Sequence, residues 1–123
     1  MTHPAIELLR RTRLPLDDEK RCQVAMAETF AVNRIPYLRE LPLYDDRGAP
    51  LGIIDFLLPE DGLGIEVKIN KGQASDIRRQ IVRYGADTRI THMVLASAKA
   101  VWLPVLLITG KPVTFVDLGR AWL

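Results

Sequence analysis

The sequence predicts an α/β fold in which a mixed central β-sheet is flanked by helices, in the order α-β-β-β-α-β-α-β. Three observations carry that expectation. Three strand-like runs follow one another between residues 37 and 69, joined by short turns. A helical pattern then separates them from another apolar strand over 91–97, the arrangement of a βαβ crossover. A capped helical pattern precedes the whole set.

Residues 14–34, LPLDDEKRCQVAMAETFAVNR, read as the first helix. Asp17 or Asp18 can cap it, acids crowd its first turn, and Val24, Ala27, Phe30 and Ala31 recur at helical spacing. Asn33 and Pro36 end it. Residues 37–58 hold two strands joined by a turn around Asp45–Gly48, and Pro42 marks the first as an edge or irregular strand. PEDGLG is a turn, and IEVKI, residues 65–69, is a third strand with strict alternation. Hairpin logic makes these three strands adjacent and antiparallel. Residues 72–89 read as the second helix, with Ser75 as N-cap, Ile77, Ile81 and Tyr84 along one side, and Gly85 as terminator. THMVLAS is the fourth, buried strand. AVWLPVLLITGKP fits no single period, and a short helix through LPVLLI (103–108) with Pro104 near its start is the expectation; VTFVDL is the last strand.

At 123 residues the chain is long enough for one real core and not for two, so 1–123 is expected to be a single domain, with no repeats, linkers or low-complexity tract. Composition is that of an ordinary water-soluble protein, 48% hydrophobic and 26% charged, and no apolar run is long enough to span a bilayer. The first fifteen residues make a poor secretory signal, having no continuous hydrophobic stretch and no small-residue cleavage site. The lone Cys22 cannot form an internal disulfide and reads as a reduced, buried thiol. A cytoplasmic location with no membrane partner is the expectation.

Within IIDFLLPEDGLGIEVKIN, residues 53–70, charges sit inside the best strands. Alternation turns Ile65, Val67 and Ile69 one way and Glu66 and Lys68 the other. Asp55 lies on the preceding strand, and a hairpin can bring its carboxylate beside that of Glu66. Two facing carboxylates each disfavour the other's ionisation, and a divalent cation removes the conflict. Two acids, a main-chain carbonyl and waters suit Mg²⁺, with Lys68 beside a metal-bound water or a phosphate oxygen. A cross-strand salt bridge from Lys68 to Asp55 or Glu66 on a half-exposed sheet explains the alternation equally well. Net charge is only +2, but Lys68, Lys71, Arg78, Arg79, Arg83 and Arg89 cluster along 68–89. Such a stretch can grip phosphates or can be a solvated helix face. No Cys/His cluster has zinc spacing, no Gly-rich phosphate loop precedes a helix, and His3 and His92 stand isolated. Glu40 reads as a structural acid on the first strand, paired with a basic neighbour.

Asp55, then Glu66-Val67-Lys68, between a capped helix and a basic helix, resembles the PD-(D/E)XK nuclease superfamily. QIVRY, with Gln80 and Tyr84, is similar to the Q-x-x-x-Y element of the RecB and lambda-exonuclease branch. Glu19 in EKRCQVA resembles the glutamate of the superfamily's first helix. YLRELPL, the Asp-Phe of IIDFLL, IEVKINKG and RRQIVRYG in series look most like the VRR-NUC group and its Holliday junction resolvase relatives. The similarity covers roughly residues 17–97, and Ile54 takes the place of the name-giving proline. The resemblance implies a restriction-endonuclease-like core and a metal-dependent DNA endonuclease acting on branched DNA, as a homodimer. It implies that Asp55, Glu66, the Val67 carbonyl and Glu19 ligate Mg²⁺ or Mn²⁺. Lys68 would orient the attacking water and steady the phosphate charge, and Gln80 would position Lys68 or the water. Lys71, Arg78, Arg79 and Arg83 would meet nucleic acid, and Tyr84 would pack beside the site or touch the nucleic-acid backbone. Alternatives are an inactive nucleic-acid-binding domain of the same fold and a non-specific DNA or RNA nuclease.

Overall fold

A computed structural model describes residues 3–69, 74–98, 107–108 and 110–123. Its chain order is α1 (Pro4–Arg11), α2 (Glu19–Val32), β1 (Leu38–Tyr44), β2 (Pro50–Leu58), β3 (Leu63–Lys68), α3 (Ala74–Tyr84), β4 (His92–Ser97), β5 (Leu107–Ile108) and β6 (Lys111–Asp117), closed by a 3₁₀ turn over Leu118–Trp122. The strands form one mixed sheet ordered β1-β2-β3-β4-β6-β5. β1, β2 and β3 pair antiparallel, as expected. β4 lies parallel to β3 across α3, the crossover the sequence implies, and β6 is parallel to β4.

Two apolar clusters sandwich the sheet. On one face α1 and α2 bring Ile6, Leu9, Met26 and Phe30 onto Phe56, Ile65, Val67 and Val94. On the other, Ile77, Ile81 and Tyr84 of α3 pack with Ile54, Leu57, Met93 and Leu95. Each fully buried side chain of this size is worth about 1.5–3 kcal/mol, so both helical layers are held chiefly by apolar burial.

Several elements depart from the sequence expectation. α1 was not anticipated; Pro4 starts it, the His3 ring accepts from the Ala5 N–H, and Ala5, Ile6, Leu8 and Leu9 are buried. α2 starts at Glu19 and is capped as expected by Asp18, one of the two aspartates read as caps, whose carboxylate accepts from the Arg21 N–H at 3.1 Å. Its inner face is Cys22, Gln23, Met26, Ala27 and Phe30, so Val24 and Ala31 face outward instead of into the core. Ser75 lies inside the first turn of α3, not at its cap. The helix expected through 103–108 gives way at Leu107–Ile108 to β5, antiparallel to β6; the rest of that stretch lies outside the described residues. An unbroken run of Val, Leu and Ile carries no period to separate helix from strand, and pairing with β6 decides it.

β1 forms the sheet edge, which accommodates Pro42. The β1–β2 turn is fixed by the Asp45 carboxylate accepting from the N–H groups of Arg47 and Ala49, with Gly48 at φ +82°. Among the described residues no helix is long and apolar enough to cross a membrane.

Candidate active site

Asp55 lies near the middle of β2 and Glu66 near the end of β3, where the ladder between them stops. Regular β2–β3 pairing runs from Leu58↔Leu63 to Phe56↔Ile65 and goes no further. Beyond that point side chains replace main-chain partners. The Asp55 N–H donates to Glu66 Oε1 at 3.2 Å, and the Val67 N–H donates to Asp55 Oδ2 at 2.7 Å. The two strands thus fork, with a pair of carboxylates in the fork. In an extended strand a residue's N–H and C=O point to the same side. The Val67 carbonyl therefore also faces β2.

Lys68 closes the group, its Nζ 3.4 Å from Glu66 Oε2. Glu66 is buried, and Asp55 and Lys68 are half-buried, so the cluster opens to solvent on one side. Glu19, the first residue of α2, reaches across, and its carboxylate accepts from the Ile69 N–H at 3.2 Å. It steadies the end of β3 at the edge of the fork.

These groups are electrostatically opposed. Burial pushes the Glu66 carboxyl up, and the Asp55 charge adds to it, taking it to about 8 in spite of Lys68. Asp55 is also raised, by burial first and by the charge of Glu19, against the lowering pull of the Val67 N–H, a hydrogen bond from the Glu66 carboxyl and the charge of Lys68. Two acids that cannot both ionise comfortably are the donors a divalent cation stabilises. Among the described residues no three His, Cys, Asp or Glu side chains are grouped to hold a metal by themselves. The available donors are two carboxylates and a main-chain carbonyl, a sparse oxygen set that fits Mg²⁺ or Mn²⁺ with several retained waters.

The remaining residues read from the sequence divide sharply. Tyr84 is 4% exposed, so the expected contact with nucleic acid has no surface to use. Its hydroxyl donates to the Ile53 carbonyl and accepts from Gln80 Nε2, and its ring lies where a Cβ on Gly52 would sit. Tyr84 clamps α3 onto β2, and only Gly leaves room for it. Gln80 is committed to that hydroxyl at 3.0 Å and so holds Tyr84 rather than Lys68. Arg78, Arg79 and Arg83 are exposed on the outer side of α3, where with Ser75 and Val82 they line a shallow recess. Arg79 pairs with Asp76 at 3.3 Å, while Arg83 donates to the Leu51 carbonyl at 2.8 Å. Lys71 lies outside the described residues.

Two features at the fork escaped sequence reading. The Arg39 guanidinium lies over the Phe56 ring, 5.5 Å from its centroid, and donates to the side-chain Oε1 of Gln23. Glu40 makes no ion pair among the described residues, contrary to expectation, and its backbone is left-handed at φ +49°. Neither residue type announces such a position; a glutamate inside a strand-like run reads as extended.

No family model, no curated protein and no solved structure matches this chain.

Proposed function

We propose that the chain is a divalent-metal-dependent nuclease with a restriction-endonuclease-like core, hydrolysing phosphodiester bonds in DNA, with branched duplexes preferred over particular sequences. The observation that carries this reading is the β2–β3 fork, where Asp55 and Glu66 share a partly buried site with the Lys68 ammonium beside them. Phosphodiester hydrolysis needs a nucleophile at neutral pH and compensation for charge growing on phosphorus. A bound Mg²⁺ or Mn²⁺ supplies a Lewis acid and a water of lowered pKa. Asp55, Glu66 and the Val67 carbonyl would hold it. Lys68 would set its ammonium against a phosphate oxygen and orient the attacking water. Glu19 keeps the strand end that carries Lys68 in place through the Ile69 N–H. Gln80 and Tyr84 support β2 from α3, one contact removed from the chemistry.

Arg78, Arg79 and Arg83 would meet the phosphate backbone, a contact that sets position and carries no sequence information. That favours recognition by shape over base readout. A homodimer would set two such sites on opposed strands of a junction.

A second reading has its own support. Both carboxylates already accept from N–H groups and Lys68 is already paired, so the fork is satisfied without a cation, as in a nucleic-acid-binding domain that lacks turnover. Incubation with Mg²⁺ or Mn²⁺ and four substrates separates the two: four-way junction, linear duplex, single strand and matched RNA duplex. Paired symmetric nicks near the branch point, abolished by chelator and by Lys68→Ala, support the junction nuclease. Binding without cleavage across metals and substrates contradicts it, and equal cleavage of RNA removes the DNA preference.

A further inference from the structure

Side chains two apart on a strand share a face, yet Ile54 packs with α3 while Phe56 packs with α1 and α2. β2 therefore turns over by one residue at Asp55. The neighbouring edge strand is irregular at the same level. β1 pairs Arg39 with Phe56 and Leu41 with Ile54 in one unshifted register, so Glu40 stands opposite Asp55, yet that pair is missing; the register itself shifts farther along, between Leu43 and Tyr44. Glu40 is also the residue with φ +49°, a conformation a non-glycine residue adopts at a cost unless its surroundings impose it. On the other side of β2 the β3 ladder ends at the same residue. Asp55 is thus released from both neighbours at once, and its N–H and carboxylate are free to engage Glu66 and Val67.

We infer that Glu40 is a positioning residue. Its left-handed backbone breaks the β1–β2 ladder opposite Asp55 and so aims that carboxylate into the fork. Regular pairing at Glu40 would restore strict alternation through Asp55 and draw its carboxylate away from the Val67 N–H. The role belongs to the backbone, so the Glu40 carboxylate is dispensable. The inference concerns the proposed metal site, but the device itself can be read without metal.

A substitution series tests it. Gly and Asn accept a left-handed backbone readily, whereas β-branched Val and Thr resist it. The first readout is the Val67 amide resonance in the ¹⁵N-labelled, metal-free protein, which reports the hydrogen bond to Asp55. The second is Mn²⁺-dependent DNA cleavage, separated into kcat and KM. Glu40→Gly and Glu40→Asn should keep both at wild-type values. Glu40→Val and Glu40→Thr should shift the Val67 resonance and lower kcat by about 10²-fold through misplacement of Asp55, with KM for DNA unchanged. Glu40→Ala, a milder change, carries the comparison where Val or Thr fails to fold. An unmoved Val67 resonance in the Val, Thr and Ala variants overturns the inference. So does equal loss in Gly, Asn and Val, since the carboxylate would then be the active part. Failure of the nuclease reading would show differently, as no cleavage by the wild type, and the Val67 resonance would still decide the role of Glu40.

Discussion

Asp87 and Glu66 are carboxylates of nearly equal burial, 2% and 3% exposed, and the protein treats them in opposite ways. Burial works to raise both. At Asp87, in the loop after α3, the opposing donors win. Its oxygens accept from the Tyr44 N–H, the Arg89 N–H and two guanidinium nitrogens of Arg89, which hold it down at about 2. Arg89 also donates to the Pro42 carbonyl, so the pair ties the edge strand to the α3–β4 loop. At Glu66 the neighbouring charge is another acid, one lysine does not offset it, and the carboxyl rises to about 8. A carboxylate with ample donors fastens the fold. One left in conflict beside a second acid is a place where a cation can bind.

That contrast can be broken at either end. The largest expected effect is on catalysis: Lys68→Ala or Asp55→Asn should lower metal-dependent cleavage by about 10²–10³-fold, measured as single-turnover rate, with little loss of thermal stability. Next is a stability effect at the other carboxylate. Asp87→Ala leaves the Tyr44 N–H and the Arg89 guanidinium without their acceptor and should cost about 2–4 kcal/mol by denaturant unfolding, discounting for the solvent-facing side of Arg89.

The pH dependence should separate the two sites by sign. Glu66 has its folded pKa raised from 4.5 to about 8, so the native state holds a proton that the unfolded chain has released. Its contribution is fully present below 4.5 and is lost as pH rises toward 8. Asp87 is lowered from 3.8 to about 2, so its contribution is present above 3.8 and is lost as pH falls toward 2. Unfolding of metal-free protein across pH 2–9 should show both slopes. Glu66→Gln should flatten the neutral limb only, and Asp87→Asn the acid limb only. The smallest effect is at the surface. Replacing Arg78 and Arg79 by Glu should weaken DNA binding and reduce the salt dependence of log Kd by about two contacts' worth, leaving metal affinity unchanged.

The same contrast governs what the sequence made legible. Glu66 and Lys68 were readable because a charge at every second position of an apolar strand has few explanations, and Asp55 followed from the short turn between its strand and theirs. The three antiparallel strands and the crossover to β4 came from alternation and turn residues, which are local. Asp87 and Arg89 carried no such sign. Their meaning depends on Tyr44 and Pro42, distant in sequence and brought near only by the sheet. Tyr84 was readable on the apolar side of its helix with Ile77 and Ile81, and that side turns it inward onto Gly52; the contact with substrate came from the resemblance and not from the spacing. α1 carries a weak sequence signal because it is only eight residues long, although Ile6 and Leu9 lie one turn apart and both are buried. The left-handed backbone at Glu40 has no sequence signature, because a glutamate between Arg39 and Leu41 in a strand-like run reads as extended.

The central claim is that the forked carboxylates bind a divalent cation, and calorimetric titration of metal-free protein with Mn²⁺ tests it most directly. Run near pH 7 in buffers of different ionisation enthalpy, it should show saturable binding coupled to release of about one proton, the one Glu66 carries before the ion enters. Binding should be lost in Asp55→Asn and in Glu66→Gln. A wild-type protein that takes up no Mn²⁺, or variants that take it up as well as the wild type does, would contradict the account.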